Sequence, residues 1–280
     1  ARGAGALGHI PGNILTFATR EGARGRELIA ARDIMGSLPL YVVSMEDGAH
    51  VFLSSLQHVR QACGRFPLRV NHGAIPEYLL YRHVVGPRTL FEGISAPLPG
   101  HALVMDGGEN RHEPYFDLKS TFKGGKPDGV APKLSSRLYE SLARESNGKR
   151  IGLMFSGGLD SSWLAYAHRH SGMSLYTISF PGRGESDFHS AYAEAKALQR
   201  KLQVVRLERA SYASQLPAAI ATSGLPVDHP NFVGRRALFM RAAEDGVERL
   251  LGGDGADSIF GGSWHNSIYK SILVKRFFPE

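Results

Sequence analysis

The sequence predicts two fold classes in one chain of 280 residues, an antiparallel α+β layer followed by an α/β domain on a parallel sheet. Three observations predict this. Residues 1–115 read as short strands broken by Gly and Pro, with only two helices among them. Beyond a polar stretch, compact apolar strands alternate with helices. Two strands of that second half run straight into glycine-rich turns that carry carboxylates.

In the first half, residues 14–18, 27–31, 40–43, 49–53 and 102–105 are the expected strands. Ser54 or Ser55 caps a helix running to about Ala62, with Leu56, Val59 and Cys63 on one face, and a second helix covers 74–82. Residues 117–130, with Lys119, Lys123, Lys126, Gly124, Gly125 and Gly129, read as a linker. The expected division is therefore 1–116, the linker 117–130, and 131–280. A helix over 132–146 follows, because Leu134, Leu138 and Leu142 recur every four residues and Gly148 stands where a stop belongs.

The alternation then runs strand 151–155, helix 160–170, strand 174–180, helix 188–201 and strand 203–207. Helices 212–222 and 233–244, strand 249–251 and a last helix complete it. Such alternation predicts a parallel sheet with helices on both faces and ligands beyond the carboxyl ends of its strands. No internal repeat is visible.

Composition narrows the function. There are 33 basic and 26 acidic side chains, net +7, with 42% hydrophobic and 21% charged residues. That excludes a mainly disordered or collagen-like chain. The positive balance admits an anionic ligand such as a nucleotide, or a nucleic acid, without choosing between them. A single cysteine, Cys63, excludes an internal disulfide framework and a cysteine-based zinc or iron–sulfur site. No apolar run approaches the roughly 18–20 residues of a membrane helix. The first residues lack the apolar core of a signal peptide. The expectation is a cytoplasmic protein with no membrane partner.

The chemistry concentrates in Ser156-Gly157-Gly158-Leu159-Asp160-Ser161-Ser162, directly after the strand 151–155. Small residues let backbone approach a ligand, and free N–H groups at a helix start favour an anion. Ser156, Ser161 and Ser162 add hydroxyls. No Gly-Lys-Ser/Thr follows, so this is not a Walker A loop. Asp160 would repel a bare phosphate and makes sense as a Mg²⁺ ligand. The bland alternative is a glycine turn with Asp160 and Ser161 as helix caps. The second constellation is Gly252-Gly253-Asp254-Gly255-Ala256-Asp257-Ser258-Ile259-Phe260-Gly261-Gly262, after strand 249–251. If both strands lie near the sheet centre, Asp160 and Asp257 face each other across one crevice and form part of a Mg²⁺ shell.

These two stretches resemble a known family. The first looks like the pyrophosphate loop of the N-type ATP pyrophosphatases. The segment 253–262 resembles the second signature of the asparagine synthetase family within that group. Ala31-Arg32-Asp33-Ile34-Met35-Gly36-Ser37-Leu38-Pro39-Leu40-Tyr41 resembles part of that family's class II glutaminase domain. Gly86-Pro87-Arg88-Thr89-Leu90-Phe91-Glu92-Gly93-Ile94 and Leu98-Pro99-Gly100-His101 resemble its end. The resemblance runs from Gly12 to Gly262 in the family's order.

It implies a partial Ntn-glutaminase-like antiparallel domain, then a parallel-sheet domain of the adenine-nucleotide α-hydrolase type. It implies Mg-ATP, attack of a substrate carboxylate on the α-phosphate, release of pyrophosphate, an acyl-adenylate, and an amine that gives an amide and AMP. In β-lactam synthetase and lasso-peptide cyclase relatives the amine belongs to the substrate itself, which is the alternative reading. Carried over by position, Ser156, Gly157, Gly158, Asp160, Ser161 and Ser162 hold the pyrophosphate portion, and Asp160 and Asp257 bind Mg²⁺. Leu153, Ile178, Ser179 and Gly253 line the adenosine site, and Asp254 stands where the family places a catalytic glutamate. The implied partners are ATP, a carboxylate substrate (an amino acid, small acid or peptide), and a second copy or partner subunit. Nucleic acid is not expected.

The sequence departs from the family in three places. It begins at Ala1 without the family's N-terminal cysteine nucleophile, and Cys63, inside a helix, reads as a buried structural thiol. Glutamine hydrolysis is therefore not expected of the chain as given. The family's basic residue lies beyond the second signature, and Lys270 and Lys275 are too close to it; the expectation is a fragment or one part of an assembly. The family's Asp-Glu-Pro turn is replaced by Gly224-Leu225-Pro226-Val227-Asp228-His229-Pro230-Asn231, while Ser258 and Ser263 replace an acid and a tyrosine. Asp228 and His229 read equally as substrate contacts or as a turn cap and a solvated His.

Gly3-Ala4-Gly5-Ala6-Leu7-Gly8 has G-x-G-x-x-G spacing but no strand before it, so it reads as a terminus. His168 and His170 read as surface residues, and Arg235, Arg236 and Arg241 as a solvated helix face. RNA sulfuration would need more cysteine than this chain has. A non-catalytic binding partner on the same fold remains a third reading.

Overall fold

The computed structural model describes residues 12–22, 25–106, 109–117, 120, 129–169, 172–181, 185–227, 229 and 231–260. The glycine-spaced start, most of the linker, His170, Asp228, Ser263, Lys270, Lys275 and the last two glycines of the second signature lie outside them. The chain divides into two compact units, 1–126 with 217–229, and 127–216 with 230–280.

The first unit holds two antiparallel sheets. Strands β1 (Leu15–Gly22), β2 (Gly25–Arg32), β6 (His101–Asp106) and β7 (Glu109–Pro114) pair in the order β1-β2-β6-β7. Strands β3 (Tyr41–Ser44), β4 (His50–Leu53) and β5 (Ile94–Ser95) pair in the order β4-β3-β5. The β3–β4 turn is tight because Asp47 accepts the Ala49 N–H at 2.9 Å and Gly48 takes φ +84°. Val42 of β3 packs with Leu103 and Met105 of β6, and Leu28 and Phe52 close that cluster. Apolar side chains on alternate strand positions build this core.

Ser55 does cap a turn, accepting from Gln57 N at 3.4 Å, but the turn is 3-10 (Leu56–His58) before α1 (Val59–Cys63). Leu56, Val59 and Cys63 are buried with Val43 and Ile94. Burial pushes the Cys63 thiol above its ordinary pKa, which disfavours the thiolate. Helix α2 (Ile75–Tyr81) ends at Arg82 in the left-handed region, φ +62°. Leu225 joins the Val43 cluster, and a Cβ at Gly224 would lie 2.8 Å from Gln57 N. That close approach keeps residues 217–229 with this unit.

The second unit is the expected parallel sheet. Strands β8 (Ile151–Met154), β9 (Ser174–Ser179), β10 (Leu202–Arg206) and β11 (Arg249–Leu251) run in the order β10-β9-β8-β11, all pairs parallel. Helix α3 (Val130–Ser146) precedes β8, α4 (Leu159–Ala167) joins β8 to β9, and α5 (Glu185–Ala197) joins β9 to β10. Helices α6 (Arg209–Ser223) and α7 (Asn231–Glu244) lead to β11, and α8 (Ala256–Phe260) follows.

Both sheet faces are covered, as a parallel sheet requires. Leu153, Phe155 and Leu175 pack with Ala165 of α4 and Ala191 and Ala195 of α5. The alternate positions Met154, Tyr176 and Ile178 pack with Leu238 and Ala242 of α7. The chain steps from β8 to β9 to β10 on one side, then returns to place β11 on the other side of β8. That reversal beside β8 is where an open α/β sheet leaves a crevice at the carboxyl ends of its strands.

Candidate functional site

The first loop leaves β8 through Phe155, whose N–H donates to Tyr176 O at 2.7 Å. Gly157 then takes φ +73°, and a Cβ there would stand 2.5 Å from Ala191 N and from Ser190 C. The backbone of α5 occupies the space a side chain would need. Gly158 is the N-cap of α4 without a side-chain cap, and its carbonyl accepts the Ser162 N–H at 2.9 Å. The first-turn N–H groups of α4 thus lack intrahelical acceptors and face an anion-favouring helix end.

The three hydroxyls differ. Ser156 is exposed, and its Oγ accepts the Gly158 N–H at 3.2 Å. Ser161 is buried; its Oγ accepts the Ser156 N–H at 3.3 Å, lies 3.2 Å from Ser156 Oγ, and donates to Gly158 O at 3.1 Å. Ser161 braces the turn. Ser162 Oγ is buried and has no hydrogen-bond partner among the described residues. Asp160 is exposed in the first turn of α4.

The second loop follows β11, which pairs directly with β8, Leu251 opposite Leu153. A Cβ at Gly253 would lie 2.9 Å from the Asp160 Cβ and 3.7 Å from Ser161 N. A Cβ at Gly252 would meet the Met154 Cε at 2.5 Å. The fold therefore seats the second glycine turn on the first. Asp257 is exposed in the first turn of α8, and Asp254 is exposed on the turn before it.

Of the residues expected around adenosine, Leu153 has its side chain in the core and offers only backbone to a ligand. Ile178 and Ser179 end β9, and the Ser179 carbonyl accepts the Leu207 N–H at 3.0 Å.

For Mg²⁺ the test is the donor set. Asp160 and Asp257 are oxygen donors on touching loops, and neither carboxylate has an ion-pair partner among the described residues. No cluster of three His, Cys, Asp or Glu side chains suited to a metal forms among those residues. Mg²⁺ is commonly held by one or two carboxylates together with substrate phosphates, so this sparse set fits it.

The residue that sequence reasoning missed is Arg235. It is exposed on its helix, as a solvated face requires, and its Nη2 also donates to Asp254 Oδ2 at 2.5 Å. No local signal marks it, since α7 and the β11–α8 turn meet only through the fold. Two contacts fix α7. A Cβ at Gly234 would lie 3.0 Å from Phe180 Cζ and 3.1 Å from Ile178 Cδ1, so this helix lies flat on the end of β9. At its other end the Tyr176 hydroxyl donates to Asp245 Oδ2 at 2.9 Å. That bond, with Arg241, holds the Asp245 carboxyl below its ordinary pKa despite burial. Burial, then the Asp245 charge and hydrogen bond, push the Tyr176 hydroxyl up. His168, expected at the surface, is half-buried as the C-cap of α4. His229 is exposed.

The asparagine synthase family matches residues 133–278, and the glutamine amidotransferase domain family matches residues 12–116. The chain belongs to the asparagine synthase family. It is 24% identical over 256 residues to glutamine-hydrolyzing asparagine synthetase 1 of Bacillus subtilis, covering 89% of this chain and 39% of that protein. A putative glutamine-hydrolyzing asparagine synthetase of Mycobacterium tuberculosis is 27% identical over 266 residues, covering 90% of this chain and 40% of that one. An amidase, chry2, of Gibberella zeae is 27% identical over 201 residues, covering 64% of this chain and 30% of that one. This asparagine synthase family chain thus spans 30% to 40% of the length of these relatives. Among the described residues no helix is long and apolar enough to cross a membrane.

Proposed function

We propose that this chain carries the nucleotide site of an ATP-dependent, AMP-forming carbon–nitrogen ligase, in a synthetase domain over 131–280 that follows a glutaminase-like domain over 1–116 and a linker over 117–130. The observation that carries the reading is the seating of Gly253 on Asp160, which sets two glycine turns on neighbouring parallel strands, at the reversal of strand order. Family membership and the asparagine synthetase relatives support the same activity.

In this reading the α4 N–H groups, Ser156 and the glycine backbone hold the pyrophosphate portion of ATP, while Ser161 keeps the turn in shape. Asp160 and Asp257 hold Mg²⁺. Bound there, Mg²⁺ offsets the charge that builds on the leaving pyrophosphate. Leu153, Ile178, Ser179 and Gly253 line the adenosine site with backbone. A substrate carboxylate oxygen bonds to the α-phosphorus as the bond to pyrophosphate breaks. An amine then attacks the acyl carbon, AMP leaves, and Asp254 takes the amine's proton.

The test is ATP–pyrophosphate exchange with Mg²⁺ over a panel of carboxylates, with Asp160→Asn as control. Carboxylate-dependent exchange that disappears in Asp160→Asn is the expected result. Failure of the wild-type chain to bind Mg-ATP overturns the reading.

A further inference from the structure

We infer that Arg235 is a docking group for the substrate carboxylate and that Asp254 occupies it until that carboxylate arrives; this rests on the adenylation reading of the site. Arg235 uses one Nη for Asp254 and has no other partner among the described residues. Its guanidinium is a fork shaped for a bidentate carboxylate, so the present single contact leaves most of its donors for another anion. Both side chains are open to solvent, 45% for Arg235 and 66% for Asp254. Exposed ion pairs are weakly held, so an incoming carboxylate displaces Asp254 at little cost.

Position supports the exchange. Gly234 lies against Ile178 and Phe180 at the end of β9, which sets Arg235 beside the nucleotide crevice on a helix fixed by packing. Asp254 sits instead on a turn between Gly253 and Gly255, the latter at φ +90°, and its carboxylate is steered by Arg235 rather than by packing. The rigid partner is the cation and the adaptable one is the acid. Asp160 and Asp257 already make the crevice mouth acidic, and Arg235 is the cation paired there. A carboxylate substrate needs such a counter-charge to enter, and its arrival frees Asp254 ahead of the later step in which the amine gives up its proton.

The test uses the full chain labelled with ¹⁵N-arginine, following the Arg235 Nε–H signal, assigned by its loss in Arg235→Lys. Succinate and Mg-ATP are titrated separately. Succinate is expected to shift that signal saturably. Asp254→Asn is expected to bind succinate about fivefold more tightly, the scale of one exposed pair, and Arg235→Met to lose that binding. An Arg235 signal that succinate does not move, or an affinity unchanged in Asp254→Asn, overturns the inference. A shift with Mg-ATP alone assigns Arg235 to a phosphate and overturns it as well. If Mg-ATP binds nowhere, the adenylation reading fails, while the succinate titration still decides the exchange at Arg235. Arg235 is half-exposed, so unchanged melting temperatures of both Arg235 variants serve as the folding control.

Discussion

At Gly157 two requirements coincide, a left-handed φ of +73° and a Cβ position 2.5 Å from the backbone of α5. Relief by a side-chain rotation is closed off, because the obstructing atoms are Ala191 N and Ser190 C. Gly157→Ala is expected to lower unfolding free energy by about 2 kcal/mol or more, from strain and overpacking together. It also moves the turn braced by Ser161, so Mg-ATP affinity should fall about tenfold or further, one decade being about 1.4 kcal/mol. Urea unfolding and calorimetric titration measure the two losses; an alanine variant that keeps both values refutes the packing argument. Glu27 is decided by charge instead. It is buried on β2, and Arg111 and Arg20 each approach its carboxylate to 2.5 Å. Their hydrogen bonds hold its carboxyl below the ordinary value against the opposing effect of burial. Because the folded value is the lower one, the pair's contribution is whole above the unfolded carboxyl pKa of about 4.3 and is lost as pH falls through the folded value. Glu27→Gln is expected to melt at a lower temperature near neutrality and to lose less stability than wild type between about pH 5 and pH 3. Parallel melting curves across that window contradict the assignment.

Gly234 governs where α7 rests. A Cβ there would press on Phe180 and Ile178 at 3.0–3.1 Å, so Gly234→Ala is expected to cost about 1–3 kcal/mol. It should also weaken the Arg235–Asp254 contact by lifting the helix from β9, which a shifted Arg235 Nε–H resonance reports. An unshifted resonance with unchanged stability contradicts the flat docking of α7. Elements of this kind mark the limit of what the residues disclose in order. The parallel sheet was legible because its strands are short apolar runs alternating with helical segments, and β11 coincides with residues 249–251. Strand β7 was not, since Glu109–Pro114 carries no apolar alternation. Its place is set by Arg111, which bonds Glu27, Asp106 and Glu113 across three strands. Strand β5 has two residues, too few for a period. Helix α6 begins three residues before the expected 212 and runs through Pro217, a residue that usually breaks a helix. In the crevice, both glycine turns were legible from strand-then-turn order. The pairing of Arg235 with Asp254 was not, because they lie nineteen positions apart with a strand between them.

Across the whole chain, the nucleotide reading makes a spatial claim that binding strength alone does not test. The crevice is built from segments far apart in sequence, the turn 156–162, the end of β9 at 178–180, and the turn 252–257. The strand order brings the first and last together, since β8 and β11 are neighbours. A ligand there slows hydrogen exchange in whatever backbone it orders, while segments remote from it keep their own opening rates. With Mg-ATP near 100 times its Kd, the bound state gains about 2.7 kcal/mol over the free one. Slowed exchange is therefore expected in peptides covering 155–162 and 249–257, with a smaller effect at 176–181. Peptides from β1, β2, β6 and β7 should exchange as before, because their hydrogen bonds belong to a different sheet. Asp160→Asn should erase the protection at both glycine turns together, since it removes a charge from the proposed Mg²⁺ site while the Cβ that Gly253 rests on stays in place. Protection at 155–162 without 249–257 would mean that the two turns do not share the ligand. Protection confined to the antiparallel sheets would move the nucleotide away from the β8 crevice altogether.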